Sequence, residues 1–161
     1  MRLSTEEAVQ RYRDRLFIIA FNICRNPADA DDVVQDAFIK YHSLKKDFDD
    51  EAHFKAWLIR VTINRAKDIT SSFWRKHRET LEEYVETLVF EEPEDSLLFE
   101  AVMQLPEKYR IAIHLYYYEG YSVREIADIL KSRENTVKSR LGRGRMLLKE
   151  RLKEDWDNDS L

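Results

Sequence analysis

The stretch from Tyr121 to Leu141, YSVREIADILKSRENTVKSRL, carries more information than any other in the chain. Ser122 and Glu125 stand at the S-x-x-E spacing of a capping box, where each side chain satisfies a backbone N–H at a helix start. They predict a short helix over Val123–Leu130. Lys131 and Ser132 form a short break, Ser132 suits the cap of the next helix, and Ala127 is small enough to let the two helices approach. The second helix directs Val137, Leu141, Leu147 and Leu148 inward and leaves Arg133, Asn135, Thr136, Lys138, Ser139, Arg140, Arg143 and Arg145 outward. This is a helix-turn-helix pattern, in which residues near the start of the second helix meet base edges in the major groove. A solvated basic face is the alternative. Gly142 and Gly144 weaken a helix interior by about 1 kcal/mol each, and close approach of backbone to DNA would account for them.

A DNA-binding surface sits oddly with a formal net charge of -4. The charge, however, is segregated. From Glu79 to Glu107 there are ten acidic residues and no Lys or Arg. From Lys108 to Lys153 twelve basic residues face five acids, which is +7 by count. The helix-turn-helix therefore lies in a basic segment, as phosphate contact requires. The acidic run reads as a solvated linker or as an internal competitor for the basic surfaces.

The rest of the chain is helical in pattern and poor in glycine and proline, with three of each in 161 residues. Upstream of the acidic run, Tyr12, Leu16, Ile19, Ala20 and Ile23 recur at helical spacing up to Asn26-Pro27, where proline ends the helix. Asp29 then suits an N-cap for a helix whose stripe is Ala30, Val33, Val34, Ala37, Phe38 and Tyr41. Asp32, Gln35 and Asp36 fall on its opposite face, where solvation alone would explain them. KKDFDDEAHF (45–54) reads as a polar loop. Phe54, Trp57, Leu58 and Val61 then predict a third buried stripe, which continues onto Asn64 and Asp68. Those two polar residues would need partners there, because an unpaired buried polar group costs about 1–3 kcal/mol. The same helix carries Arg60, Arg65 and Lys67, and SSFWRKHR (71–78) follows with two aromatics among cations. Rings stack on unpaired bases while cations hold phosphates; a core role for the rings is the alternative. Downstream, Leu97, Leu98, Ala101, Val102 and Leu105 form another stripe, Pro106 can open the next helix, and Gly120 can close it.

The four histidines, His42, His53, His77 and His114, show no metal-ligand spacing, and there is no phosphate-binding glycine loop or nucleophile elbow. No enzymatic site, metal or cofactor is expected. Cys24 lies in an apolar helical pattern and suits a small core residue. No run is long and apolar enough for a membrane span, and no signal peptide is apparent, so a cytoplasmic protein is expected.

Taken together, DADDVVQDAFIKYH, FKAWLIRVTINRAKD and LPEKYRIAIHLYYYEGYSVREIADILKSRENTVKSRLGRGRMLLKERL resemble, in order and spacing, bacterial sigma factors of the extracytoplasmic-function (ECF) type in the sigma-70 family. The resemblance spans about Tyr12 to Leu152. It implies an all-α chain of two small helical domains: region 2 over 1–80, an acidic linker over 81–96, and region 4 over 97–161. It implies a transcription initiation factor with core RNA polymerase, promoter DNA and an anti-sigma factor as partners. By position, Asp32, Gln35 and Asp36 match the surface that docks on the clamp of the polymerase largest subunit. Arg60, Asn64 and Lys67, with a loop of Ser71, Ser72, Phe73, Trp74 and Arg75, match the part that captures the melted -10 element. The helix from Arg133 matches the reader of the -35 duplex. The family usually has glycine where Asn135 stands and a larger residue where Gly142 stands. A stand-alone helix-turn-helix regulator, acting without polymerase, is the other reading.

Overall fold

The computed structural model describes the backbone of residues 1–73 and 93–159, with side chains over 1–71 and 97–153. Among these the chain is all-α, with no strand. It divides into two compact units, Met1–Glu79 and Thr80–Leu161. Trp74, Arg75 and most of the acidic run lie outside the described residues.

The first unit packs three helices, α1 (Thr5–Cys24), α2 (Pro27–Ser43) and α3 (Glu51–Phe73). The stripes expected on α1 and α2 are buried residue for residue, and Cys24 is a buried free thiol. Between these helices Arg25 turns the chain in the left-handed region (φ 57°), and Asn26 is extended, as the residue before proline must be. The cap of α2 is Asn26, not Asp29: the Asn26 Oδ1 accepts a hydrogen bond of 2.9 Å from the Asp29 amide. Pro27 has no N–H to satisfy, so the helix starts at once behind its cap.

Two further expectations give way on α3. The helix begins at Glu51, inside the stretch expected as loop, because the Asp50 carboxylate accepts from the His53 amide at 2.7 Å and caps it. Phe48 stays in the loop but its side chain packs in the core, with its ring 5.2 Å from Phe54 and 5.5 Å from Trp57. The buried line is also rotated from the expected one. Phe54, Leu58, Ile59, Thr62, Ile63 and Ala66 are buried, Trp57 and Val61 are only partly so, and Asn64 and Asp68 are exposed. The polar hydroxyl of Thr62 hides the true stripe in the sequence. It donates to the Leu58 carbonyl at 2.8 Å, which leaves its methyl free to face the core.

The second unit holds α4 (Pro93–Met103), α5 (Glu107–Ile113), α6 (Val123–Leu130) and α7 (Glu134–Asp159). Pro106 precedes α5 as its cap residue. Arg110 is buried at 4% exposure, and its guanidinium donates to the Leu105 carbonyl at 2.7 Å. At its end α5 widens into a π-helical turn, His114–Tyr118, which Gly120 closes at φ +73°. The wide turn holds His114 and Leu115 inward and leaves Tyr116, Tyr117 and Tyr118 at the surface. Gly144 on α7 is a packing residue. A Cβ there would stand 2.6 Å from Ile113 Cδ1 and 3.3 Å from Tyr109 Cβ, so glycine sets how closely α5 and α7 lie.

Candidate nucleic-acid interface

In the second unit the capping box is present in both directions. The Glu125 amide donates to Ser122 Oγ at 3.1 Å, and the Ser122 amide donates to Glu125 Oε1 at 3.1 Å. Helix α6 buries Ile126, Ala127 and Ile129, and α7 buries Val137 and Leu141. Lys131 makes the turn in the left-handed region, at φ 52°. Ser132 does not cap α7. Its amide donates to the Ala127 carbonyl at 3.0 Å, closing the turn, and its hydroxyl is buried without a hydrogen-bond partner.

With the core face of α7 fixed by Val137 and Leu141, helical spacing sorts the expected reader residues. Asn135 and Ser139 are exposed on the outward line, which continues through exposed Gly142. Thr136, Arg140 and Arg143, at i, i+4 and i+7, form one flank; the first two are partly buried and Arg143 is exposed. Lys138 and Arg145 form the other, both exposed. Arg133 is exposed just ahead of the helix. A low, polar centre between two cationic flanks suits a helix lying between two rows of phosphates. Arg145 is not a loose cation: its guanidinium donates to the Tyr117 hydroxyl at 2.9 Å. Tyr117 was missed in the sequence, since three consecutive tyrosines give no sign of which one reaches α7.

In the first unit the solvent side of α3 carries one line at i, i+4, i+7 and i+11: Arg60, Asn64, Lys67 and Ser71. Asn64, Lys67 and Ser71 are exposed and Arg60 is partly buried. Ser71 and Phe73 belong to α3 rather than to a loop, and the Ser71 hydroxyl donates to the Asp68 carbonyl at 2.9 Å. Ser72 also lies within the helix. On α2, Asp32 and Gln35 are exposed and Asp36 is partly so. Asp36 Oδ2 accepts from Arg65 Nε at 2.7 Å, an ion pair between α2 and α3. Arg65 was visible as a cation on α3, but its partner could not be seen before the two helices were packed.

The described residues contain no cluster of His, Cys, Asp or Glu fit to hold a metal ion, and none of the described helices is long and apolar enough to cross a membrane.

Comparison with known proteins agrees with this geometry. The sigma-70 region 2 family matches residues 8–80, and the sigma-70 region 4 family matches residues 96–148. The chain is 30% identical over 159 residues to the ECF RNA polymerase sigma factor SigE of Mycolicibacterium smegmatis, covering 92% of this chain and 62% of that longer protein. It is 30% identical over 162 residues to the ECF RNA polymerase sigma-E factor of Haemophilus influenzae, covering 89% and 85%. Among solved structures it is similar to CnrH in complex with the cytosolic domain of CnrY, at a TM-score of 0.68 and 29% identity over 94% of this chain and 88% of that one. Two family regions in order, each on its own helical unit, and relatives matched along most of their length place the chain in the sigma-70 family, as an ECF sigma factor.

Proposed function

We propose that this chain initiates transcription by docking on core RNA polymerase and directing it to promoters. In this reading residues 1–80 bind the polymerase and the melted -10 element, 81–96 link, and 97–161 read the -35 duplex. Asp32, Gln35 and Asp36 dock. Arg60, Asn64, Lys67 and Ser71, with Ser72, Phe73, Trp74 and Arg75 beyond them, hold the single strand. Arg133, Asn135, Thr136, Lys138, Ser139, Arg140, Arg143 and Arg145 meet the duplex. The observation that carries the reading is the capped α6–α7 pair, whose second helix exposes a polar line between cationic flanks. The protein is non-enzymatic and acts in the cytoplasm, with an anti-sigma factor as a further partner.

Promoter-dependent transcription with and without added core polymerase tests the reading. Transcripts from a specific start are expected only with core. A stand-alone regulator would instead bind promoter duplex tightly and indifferently to polymerase. Within α7, a side chain that only holds phosphate weakens all sites alike, whereas a base reader relaxes preference at one position by about 1–3 kcal/mol. At least one of Lys138→Ala and Arg143→Ala is expected to impair binding to -35 duplex. Unchanged binding by both, across a salt series, would remove α7 as the reader.

A further inference from the structure

Ile39 stands on the solvent side of α2. It is 63% exposed, the highest value among the large apolar side chains of the described residues. It lies inside α2, where an exposed β-branched residue loses rotamer freedom and is a poorer helix former than Lys, Glu or Gln. A single exposed isoleucine on a surface is ordinary. This one is set apart by its line. Asp32, Gln35, Asp36 and Ile39 stand at i, i+3, i+4 and i+7, which is one face of a helix, and Ile39 is the sole large apolar group among them.

The Arg65–Asp36 pair changes what that face offers. Asp36 is met by a guanidinium 2.7 Å away in the free protein, so its carboxylate already has a partner on this chain. The free acid on the line is Asp32, one turn further from Ile39. Charged residues are depleted at the centres of protein interfaces and tolerated at the rim. An apolar side chain beside a carboxylate already paired on its own chain has the chemistry of a centre. An exposed carboxylate one turn away has the chemistry of a rim.

We propose that Ile39 is the apolar anchor of the polymerase-docking face, with Gln35 and the Arg65–Asp36 pair bordering it and Asp32 at the anionic rim. The inference rests on the docking reading given above. The partner surface it fits is a shallow apolar pocket on core polymerase, with a basic group on the side that faces Asp32. Arg65 is a positioning residue, which fixes the Asp36 carboxylate at the border of the pocket.

Binding of the full chain to core polymerase, followed by fluorescence anisotropy over a salt series, tests this. Ile39→Ala is expected to weaken binding by about tenfold, as a central hot spot does, with the salt dependence unchanged. Ile39→Asp is expected to weaken it further, and Ile39→Leu to restore most of it. Asp32→Arg is expected to weaken binding mainly at low salt. Circular dichroism melts identify any variant that merely fails to fold; Ile39 is a surface position, so none is expected to. If Asp32→Arg and Asp36→Arg both bind core normally, the docking reading itself falls. If those two lose binding while Ile39→Asp keeps it, the anchor falls and the docking face stands. A change in self-association by Ile39→Asp, with core affinity intact, would assign the residue to a contact between copies of this chain and overturn the proposal.

Discussion

His114 shows what one residue inherits from the turn that holds it. The imidazole is 6% exposed, and Tyr118 stacks over it with ring centroids 5.2 Å apart. Burial disfavours the charged form and pushes its pKa down to about 4 from the ordinary 6.5. The unfolded chain takes up a proton near pH 6.5, while the folded chain resists until about pH 4. Between those values the unfolded state binds more protons, so stability is complete above pH 6.5 and is lost as the pH falls toward 4. The loss amounts to at most about 3 kcal/mol. His114→Leu removes the titration without adding a charge. The variant is expected to lose less protection of α5–α7 amides than the natural chain when the pH falls from 7 to 5, measured by hydrogen exchange corrected for the intrinsic rate. Parallel pH dependence in the two proteins would show that His114 is not the group that titrates. Tyr12 is the counterpart in the first unit. Burial and the hydrogen bond it donates to Glu51 at 2.7 Å push its phenol up to about 12.

At the scale of the element, α7 carries two glycines with opposite consequences. Gly142 is exposed and nothing lies within 4 Å of the place a Cβ would take. Gly142→Ala is expected to stabilise the second unit by up to about 1 kcal/mol, the ordinary gain at a helix interior. Because Gly142 continues the outward line of Asn135 and Ser139, the same change is expected to weaken -35 duplex binding if that line enters the groove. Gly144→Ala meets Ile113 and Tyr109, both held in the unit's interior contacts. Overpacking costs about 1–3 kcal/mol, so a net destabilisation is expected despite the better helix former. Urea titrations of the two variants check the signs; a stabilised Gly144→Ala would mean that α5 yields more readily than its packing indicates. The two residues look alike in LGRGRM, and only the position of α5 separates them.

Across the whole molecule the acid is placed in sequence between the two segments, 1–78 and 108–153, that carry every Lys and Arg. Glu79–Glu107 holds ten acids and no base, on the stretch that runs from the end of the first unit into the second. A short tether would give such a segment an effective concentration in the mM range, at which weak attraction would compete with DNA in the free protein. Binding to polymerase would draw the segment away. Neutralising Glu91, Glu92, Glu94 and Asp95 to Gln and Asn is expected to raise polymerase-independent affinity for promoter DNA. The effect should be clearest near 0.01 M salt, where the Debye length is about 30 Å. Anisotropy titrations of the isolated protein decide it, and equal affinities at low salt would reduce the run to a solvated linker.

The helical class, the stripes of α1 and α2, the capping box at Ser122 and the segregation of charge were legible in the sequence, because each depends on residues within about two turns of one another. The outward face of α7 was legible for the same reason: a stripe of buried leucine and valine fixes the opposite face. The phase of α3 was not, because Thr62 joins the core by giving its hydroxyl to the Leu58 carbonyl, a bond that no apolar count anticipates. Nor was the burial of Phe48, whose place depends on α2 and α3 closing over it. The site's couplings were decided by tertiary structure alone. Arg65 answers Asp36 across 29 positions, and Tyr117 holds Arg145 across 28. Local pattern specifies which way a side chain faces on its own helix. Which charge or ring it then meets depends on how the helices cross, and that is set by packing the whole core at once.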